Sequence, residues 1–260
     1  EGIMHVSLAF LNEGDGVLIP NPGYPTYASV TELVGARAVP YALSATTNWL
    51  PDLEELAKQD LTTVKLMWVN YPHMPTGAKA DTSFFEKLIG FAQQHDILIV
   101  NDNPYAHILN NKPLSILAFE GAKQVALEFQ SLSKAYNMAG WRVGMVCGNE
   151  AHIAEVLKVK SNMDSGMFFG IQQGAIAALT QSTDWFNHVN DVYENRRKLV
   201  WKLADALNAT YQKDTAGMFV WAKLPEGATD SETYIDQILN DKNIFFTPGT
   251  IFGNAGEGYI

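Results

Sequence analysis

Two cations stand in an otherwise small and apolar stretch, SLSKAYNMAGWRVG, at residues 131–144. The amine of Lys134 could attack a carbonyl carbon if burial removed its proton near neutral pH. Arg142 carries a planar fork of donors that matches phosphate oxygens. If the strand continues through Ser131 and Ser133, the two serines would add hydroxyl donors on the same side. Equally, Lys134 could be a surface lysine and Arg142 could pair with a surface carboxylate. Taken alone, these residues leave both interpretations open.

A carboxylate ends the next informative run, ILIVNDNPY, and a tyrosine follows it three residues later. The strand before Asp102 is so apolar that we expect this carboxylate to be poorly solvated. At 4 Å from a protonated pyridine nitrogen, the carboxylate and the ring would attract each other by roughly 4 kcal/mol at an effective dielectric of 20, before the cost of desolvation is subtracted. An amine nucleophile, a phosphate site and such an acid are what pyridoxal 5'-phosphate requires. The alternative role of Asp102 is to cap the turn before Asn-Pro.

The elements that must position these residues are short apolar strands alternating with helices. This pattern predicts an α/β fold, a mostly parallel sheet with helices on both faces, plus a small C-terminal α+β domain. Ligands of such sheets bind beyond the carboxyl ends of the strands, which here are followed by NYPHMPTG, DNPY and SLSK. We predict domains at residues 1–187 and 188–260, the second comprising the long linking helix and then a strand, a helix and a strand, MFVWAKLP, SETYIDQILNDK and IFFTPG.

Composition narrows the class of partner. The chain has 260 residues, 47% hydrophobic and 18% charged, and a net charge of −10, which argues against nucleic acid or an anionic membrane as partner. A single cysteine, Cys147, excludes an intramolecular disulfide and fits a reducing, cytoplasmic compartment. The six histidines lack ligand spacing, so we predict no metal site. A small molecule is therefore the expected ligand.

Five motifs in order, NPGYPTY, NYPHMPTG, DNPY, SLSKAYNMAGWRVG and FGNAGEGYI, resemble the class I/II aminotransferases of the aspartate aminotransferase family. These are fold type I pyridoxal-phosphate enzymes, and the resemblance runs over nearly the whole chain. It implies that Lys134 forms the Schiff base with the cofactor and moves the substrate proton. Asp102 would pair with the ring nitrogen, and Tyr105 would bond the phenolic oxygen. The resemblance further implies that the phosphate and the ring face are held by Ser131, Ser133, Arg142 and Tyr24.

The sequence departs from the family at one site position. The family usually has asparagine before Pro-Thr-Gly, where this chain has Met74, whose thioether cannot donate a hydrogen bond. The remaining donors for the phenolic oxygen are Tyr105 and, if its loop turns inward, Asn70, with His73 as a further candidate. The family's phosphate-binding turn, N-terminal arm and carboxylate-binding arginine are not among these residues. We therefore expect a fragment truncated at both ends, which would not be competent alone.

The resemblance implies a homodimeric enzyme that moves an amino group between an L-amino acid and a 2-oxo acid. The expected donor is aspartate or another dicarboxylic amino acid. A carbon–sulfur lyase would use the same cofactor residues but need no 2-oxo acid acceptor. A cofactor-binding sensor domain of a transcriptional regulator would need a DNA-binding domain upstream. FGNAGEG is glycine-rich, but no helix follows it, which argues against a dinucleotide loop.

Overall fold

The computed structural model describes residues 1–228 and 230–260. Its main sheet contains β1 Gly16–Asn21, β2 Arg37–Ala42, β3 Val64–Val69, β4 Leu98–Asp102, β5 Ala126–Ser131 and β6 Gly144–Cys147. The spatial order is β2-β1-β3-β4-β5-β6. The first five strands pair in parallel, and β6 pairs antiparallel with β5. The mostly parallel sheet that the sequence predicts is confirmed.

Helices cover both faces of this sheet. Among the described residues, the α-helices are α1 Gly2–Phe10, α2 Thr26–Leu33, α3 Leu53–Leu56, α4 Thr82–His95, α5 Ala122–Val125, α6 Leu132–Ala135, α7 Glu150–Met163, α8 Phe169–Leu179, α9 Thr183–Ala206 and α10 Ser231–Lys242, of which α10 lies in the C-terminal part. Because neighbouring strand residues point to opposite faces, β3 contributes Met67 to the core that contains Phe85 of α4, and Trp68 to the core that contains Val156 of α7. Across residues 1–228 and 230–260, no helix combines the length and the apolar character that crossing a membrane requires.

Helix α4 shows why two strands end at the same edge. It begins after Asp81, whose Oδ1 accepts a hydrogen bond of 2.8 Å from the backbone N–H of Phe84, and it ends at Asp96 in the left-handed conformation. Its buried stripe packs on the sheet, so the chain returns to start β4 parallel to β3. The carboxyl ends of β3 and β4 therefore lie side by side.

The reversal of β6 follows from the segment between it and β5. Residues 132–143 form only the short α6 and a 3₁₀ turn at Ala139–Trp141, with no crossover helix to carry the chain back along the sheet. The chain re-enters the sheet from the edge that it has just left, with Ser131 opposite Gly144. As a result, Arg142 stands at the same edge as Ser131.

The C-terminal part contains β7 Thr210–Tyr211 and β8 Ala222–Lys223, which pair antiparallel. The predicted strand at IFFTPG is wrong, because residues 258–260 take the place beside β8 through the bonds between Ala222 and Ile260. The predicted domain boundary at residues 187 and 188 lies inside α9. That helix contacts the main sheet's loops at its start and stacks Trp201 on Tyr211 of β7 near its end, so the division into two domains stays a prediction.

Candidate active site

One edge of the sheet collects the residues that the sequence singles out. The parallel strands β1, β3, β4 and β5 all end there, β4 with Asp102 and β5 with Ser131. The backbone N–H of Asn103 donates to the carbonyl oxygen of Phe129 at 3.0 Å, which holds the exits of β4 and β5 together. Lys134 and Arg142 follow on the short segment after β5. The structure thus brings Asp102, Ser131, Lys134 and Arg142 to one edge. Ser133 lies in α6, because β5 ends at Ser131, so the two serines do not share one side of a continued strand.

Asp102 is a carboxylate in a poorly solvated place. Burial raises its pKa to about 6, and a hydrogen bond of 2.8 Å from the hydroxyl of Tyr27 to Oδ2 opposes that rise. Among the residues that the structure describes, no lysine, arginine or histidine side chain forms an ion pair with Asp102. A cationic group brought to this carboxylate would stabilise its charged form.

Tyr27 is a site residue that the sequence reasoning missed. It lies on α2, is 1% exposed, and stacks on Trp68 with ring centroids 5.0 Å apart and an interplanar angle of 7°. Burial, reinforced by the charge of Asp102, raises the pKa of Tyr27 well above its ordinary value, so its hydroxyl stays a donor. The available signal was its place in NPGYPTY, where Tyr24 drew attention instead. Tyr24 is 41% exposed and meets the Tyr27 ring edge-on at 5.6 Å.

Lys134 is held on a short, well-anchored helix. Helix α6 begins after Ser131, whose Oγ accepts a hydrogen bond of 3.1 Å from the backbone N–H of Ser133. The indole N–H of Trp185 on α9 donates to the carbonyl oxygen of Ala135 at 3.0 Å. Ala135 is buried and Lys134 is only partly exposed. The backbone on both sides of the lysine is therefore fixed.

Arg142 completes the polar groups beside α6. It adopts a positive φ of 53°, and its Nη1 donates to the carbonyl oxygen of Ala139 at 2.7 Å. The guanidinium is exposed and keeps further donors. The hydroxyl of Ser131 accepts in its capping role and still has a proton to donate. These groups suit an anion with several acceptor oxygens.

Tyr105 lies in the loop after β4 and is 7% exposed. Its ring meets Phe219 edge-on, with centroids 6.1 Å apart. Burial, with a further contribution from the charge of Asp102, raises the pKa of Tyr105 well above its ordinary value. The phenol therefore stays protonated at neutral pH and can act as a hydrogen-bond donor.

The NYPHMPTG loop turns its first residue inward. Asn70 is 2% exposed; its Oδ1 accepts from the backbone N–H of Met74 at 2.7 Å and its Nδ2 donates to the carbonyl oxygen of Asp102. The inward turn that a cofactor role for Asn70 requires is thus present, and the amide also braces the end of β4. Met74 is buried at 7% exposure.

His73 differs from the solvated loop residue that its position suggests. It is 2% exposed, and its Nδ1 lies 2.8 Å from Oγ1 of Thr76. Burial lowers its pKa to about 3, so the imidazole is neutral. In the structure His73 supports the loop from within.

Comparisons with known proteins show the family to which the chain belongs. The family model described as "Aminotransferase class I and II" matches residues 1–260. The chain is 41% identical over 263 residues to an LL-diaminopimelate aminotransferase of Nitratidesulfovibrio vulgaris, covering 100% of this chain and 68% of that protein. An LL-diaminopimelate aminotransferase of Aquifex aeolicus is 39% identical over 262 residues, with 100% and 67% covered.

Solved structures give the same result. Apo-BacF from Bacillus subtilis superposes with a TM-score of 0.94 at 35% identity, covering 99% of this chain and 66% of that one. An aminotransferase from Staphylococcus aureus gives 0.92 at 34% identity, with 99% and 68% covered. The chain thus spans about two-thirds of the length of these relatives.

The residues present fit the cofactor of this family. Asp102 offers to a ring nitrogen a carboxylate of raised pKa that has no ion-pair partner among the described residues, and Ser131 and Arg142 offer donors to a phosphate beside Lys134. With the match over its full length, the chain belongs to the class I and II aminotransferases, whose members transfer amino groups with pyridoxal 5'-phosphate.

Proposed function

We propose that the full-length protein is a pyridoxal-phosphate-dependent aminotransferase that moves an amino group from an L-amino acid to a 2-oxo acid. The observation that carries this is Asp102: a carboxylate held by Tyr27, with its pKa raised by burial, at the same sheet edge as Lys134. A structural carboxylate would be expected to have a cationic partner or a set of backbone donors. Asp102 instead suits a positively charged ring nitrogen.

The residues then divide the work. When bound, pyridoxal 5'-phosphate supplies an electron-withdrawing ring that stabilises the negative charge left on the substrate α-carbon. Asp102 keeps the ring nitrogen protonated. Nζ of Lys134 accepts the proton from the α-carbon and later returns a proton to the product side. Tyr105 donates a hydrogen bond to the phenolic oxygen, and Asn70 is positioned as a second candidate donor.

Orientation comes from a separate set of groups. Ser131, Ser133 and Arg142 bind the phosphate, because hydroxyls and a guanidinium supply several converging donors. Tyr24 provides an aromatic face for the ring, and its exposure of 41% leaves that face open to a ligand. Holding the cofactor at both its phosphate and its ring fixes the reacting carbon relative to Lys134.

For the donor we propose a diaminopimelate-type amino acid. The sequence favours aspartate or another dicarboxylic amino acid, and diaminopimelate is dicarboxylic. The curated relatives named above are LL-diaminopimelate aminotransferases at 41% and 39% identity, which among dicarboxylic donors favours diaminopimelate over aspartate. The two donors can be compared in one assay with 2-oxoglutarate as acceptor. Higher kcat/KM with aspartate than with LL-diaminopimelate would reject this choice.

We also propose a homodimer, in the cytoplasm. Helix α8 buries none of its residues among those described, and Phe168 and Phe169 at its start are 76% and 69% exposed. A second subunit would remove this apolar surface from water. Light scattering should find a dimer of the full-length protein, and a double Phe168→Glu, Phe169→Glu variant should dissociate, whereas Leu33→Glu on α2 should not. A monomeric wild-type protein would reject the dimer.

The proposed cytoplasmic location is supported by the single cysteine, which fits a reducing compartment.

The activity itself is tested on the full-length protein. Borohydride reduction followed by mass spectrometry should place a phosphopyridoxyl group on Lys134, and Lys134→Ala should abolish it while Lys123→Ala, on the exposed surface, should retain it. Product that depends on a 2-oxo acid acceptor supports transfer. Pyruvate and ammonia formed without an acceptor would support the carbon–sulfur lyase, and cofactor binding without turnover would support the sensor domain.

A further inference from the structure

The glycine-rich loop at residues 249–258 is tied to the turn that carries Tyr24. Asn21, the last residue of β1, donates through Nδ2 to Oδ1 of Asn254, and its Oδ1 accepts from the backbone N–H of Ala255 at 3.1 Å. One amide thus makes two hydrogen bonds to neighbouring loop residues. The backbone N–H of Gly23 adds a third connection, donating to the carbonyl oxygen of Phe252 at 2.7 Å.

This close contact explains a glycine in FGNAGEG. Gly253 has a φ of +121°, and a Cβ built on it would collide with Oδ1 of Asn21. Both the backbone conformation and the approach of the Asn21 amide therefore require glycine at this position. The first glycine of the motif thus serves contact with β1, whereas a Cβ on Gly256 would meet the carbonyl oxygen of Gly249 instead.

The same loop reaches the second tyrosine of the site. The ring of Phe252 meets Phe219 edge-on with centroids 6.4 Å apart, and Phe219 meets Tyr105 in the same way at 6.1 Å. The loop is bonded to the Tyr24 turn at one side and packed through Phe219 against Tyr105 at the other. A displacement of this loop would change the distance between Tyr24 and Tyr105.

We propose that Asn21 is a positioning residue, which fixes the glycine-rich loop against the Tyr24 turn and so holds Tyr24 and Tyr105 at the spacing that the cofactor ring needs. This inference rests on the proposed function for the roles of the two tyrosines. It assigns to Asn21 no contact with substrate or cofactor. Its effect should appear in cofactor affinity and in KM, with a smaller effect on kcat.

Two Asn→Asp substitutions distinguish the effect of the hydrogen bond from the effect of a change in loop shape. Asn21→Asp replaces the donor to Asn254 by a carboxylate oxygen, whereas Asn254→Asp keeps an acceptor for Asn21. In the full-length protein, we expect Asn21→Asp to raise the Kd for pyridoxal 5'-phosphate about tenfold, the size expected for one lost hydrogen bond with a repulsive contact. Asn254→Asp should stay within about twofold of the wild type, since its bond is retained.

Absorbance titration with the cofactor measures these Kd values without turnover, and steady-state kinetics gives kcat and KM. The matched control is Asn162→Ala, which removes an exposed amide bonded to the carbonyl oxygen of Lys158 on α7. We expect KM to rise with the Kd in Asn21→Asp while kcat changes less than about threefold. A purely structural role would lower the unfolding temperature and leave the Kd unchanged.

The proposal is overturned if Asn21→Asp binds the cofactor as the wild type does, or if Asn254→Asp is impaired equally. Should Asn21→Asp fail to fold, Asn254→Ala in the exposed part of the loop carries the test, with an expected rise in Kd of about threefold for one lost bond. Wild-type protein that binds the cofactor but shows no acceptor-dependent transfer rejects the proposed function instead. The affinity comparison remains decisive for Asn21 in that case.

Discussion

The hydroxyl of Tyr27 donates a hydrogen bond of 2.8 Å to Oδ2 of Asp102, across 75 positions of the chain. Tyr27 is stacked flat on Trp68, so the direction of its hydroxyl is set by the core rather than by the ligand. The bond favours the charged carboxylate, while burial favours the neutral acid and raises the pKa to about 6. Near pH 6 the charged and neutral forms of Asp102 are therefore about equally populated, and a cationic group that binds beside it would favour the charged form.

Tyr27→Phe should raise the pKa of Asp102 further, because it removes a side-chain hydrogen bond that opposes the effect of burial. Loss of a bond worth about 1 kcal/mol corresponds to roughly 0.7 pH units. The pH below which the full-length protein loses affinity for pyridoxal 5'-phosphate should rise by that amount, as measured by absorbance titration between pH 5 and 8. Tyr41→Phe, which loses a 2.7 Å bond to the carbonyl oxygen of Trp68, should leave the pH at which cofactor affinity is lost unchanged. If Tyr27→Phe loses cofactor affinity at the same pH as the wild type, the proposed effect of Tyr27 on the pKa of Asp102 is contradicted.

Asp102→Asn should reduce kcat with little loss of folding. The amide keeps the shape of the carboxyl but cannot hold a positive charge on the ring nitrogen. Losing roughly 3 kcal/mol of transition-state stabilisation would lower kcat about a hundredfold. Asp96→Asn, at the left-handed C-cap of α4 on the opposite edge of the sheet, removes the same charge and should retain full activity. A kcat for Asp102→Asn within threefold of the wild-type value would show that Asp102 is not a catalytic residue.

The same variant should change how the cofactor-free protein responds to pH. The folded pKa of Asp102 is about 6 and the ordinary value is 3.8, so between these values the folded state keeps a proton that the unfolded state releases. Stability contributed by this group is therefore lost as pH rises through the window. Above pH 6, Asp102→Asn should exceed the wild type in free energy of unfolding by on the order of 2 kcal/mol, measured by urea denaturation. Equal stability of the two proteins at pH 7.5 would argue against a desolvated carboxylate.

Sequence patterns locate the edge of the sheet but not its internal bonds. Asp102, Ser131 and Lys134 could be placed because parallel strands end together, which is a rule about topology. The pairing of Tyr27 with Asp102 depends on how α2 packs on β3, and no local pattern encodes it. The burial of His73 likewise depends on the folded NYPHMPTG loop, whose composition alone predicts a solvated turn.

Asn70 should be important for stability as well as for the site. Its amide links two loops, accepting from the N–H of Met74 and donating to the carbonyl oxygen of Asp102 while almost fully buried. Asn70→Ala should therefore lower the free energy of unfolding by about 2–3 kcal/mol, from two lost bonds and the groups left without partners. Asn162→Ala, with one exposed bond, should cost less than about 0.5 kcal/mol. A small effect at Asn70 would mean that water replaces its bonds.

His73 should oppose Asp102 in the pH dependence of stability. Burial lowers the pKa of His73 to about 3 from 6.5, so the unfolded state binds a proton that the folded state refuses. The contribution of this group is present above pH 6.5 and is lost as the pH falls toward 3, by about 3 kcal/mol between pH 7 and pH 4.

The two groups titrate in overlapping windows with opposite signs, so the wild-type curve alone cannot separate them. The difference between wild type and His73→Asn at each pH removes the Asp102 contribution, which both proteins share. That difference should shift in favour of His73→Asn on acidification, because only the wild type must keep this buried imidazole neutral. A flat line for His73→Asn would show that this imidazole is protonated in the folded protein, and the loop would then have to accommodate a charge beside Thr76.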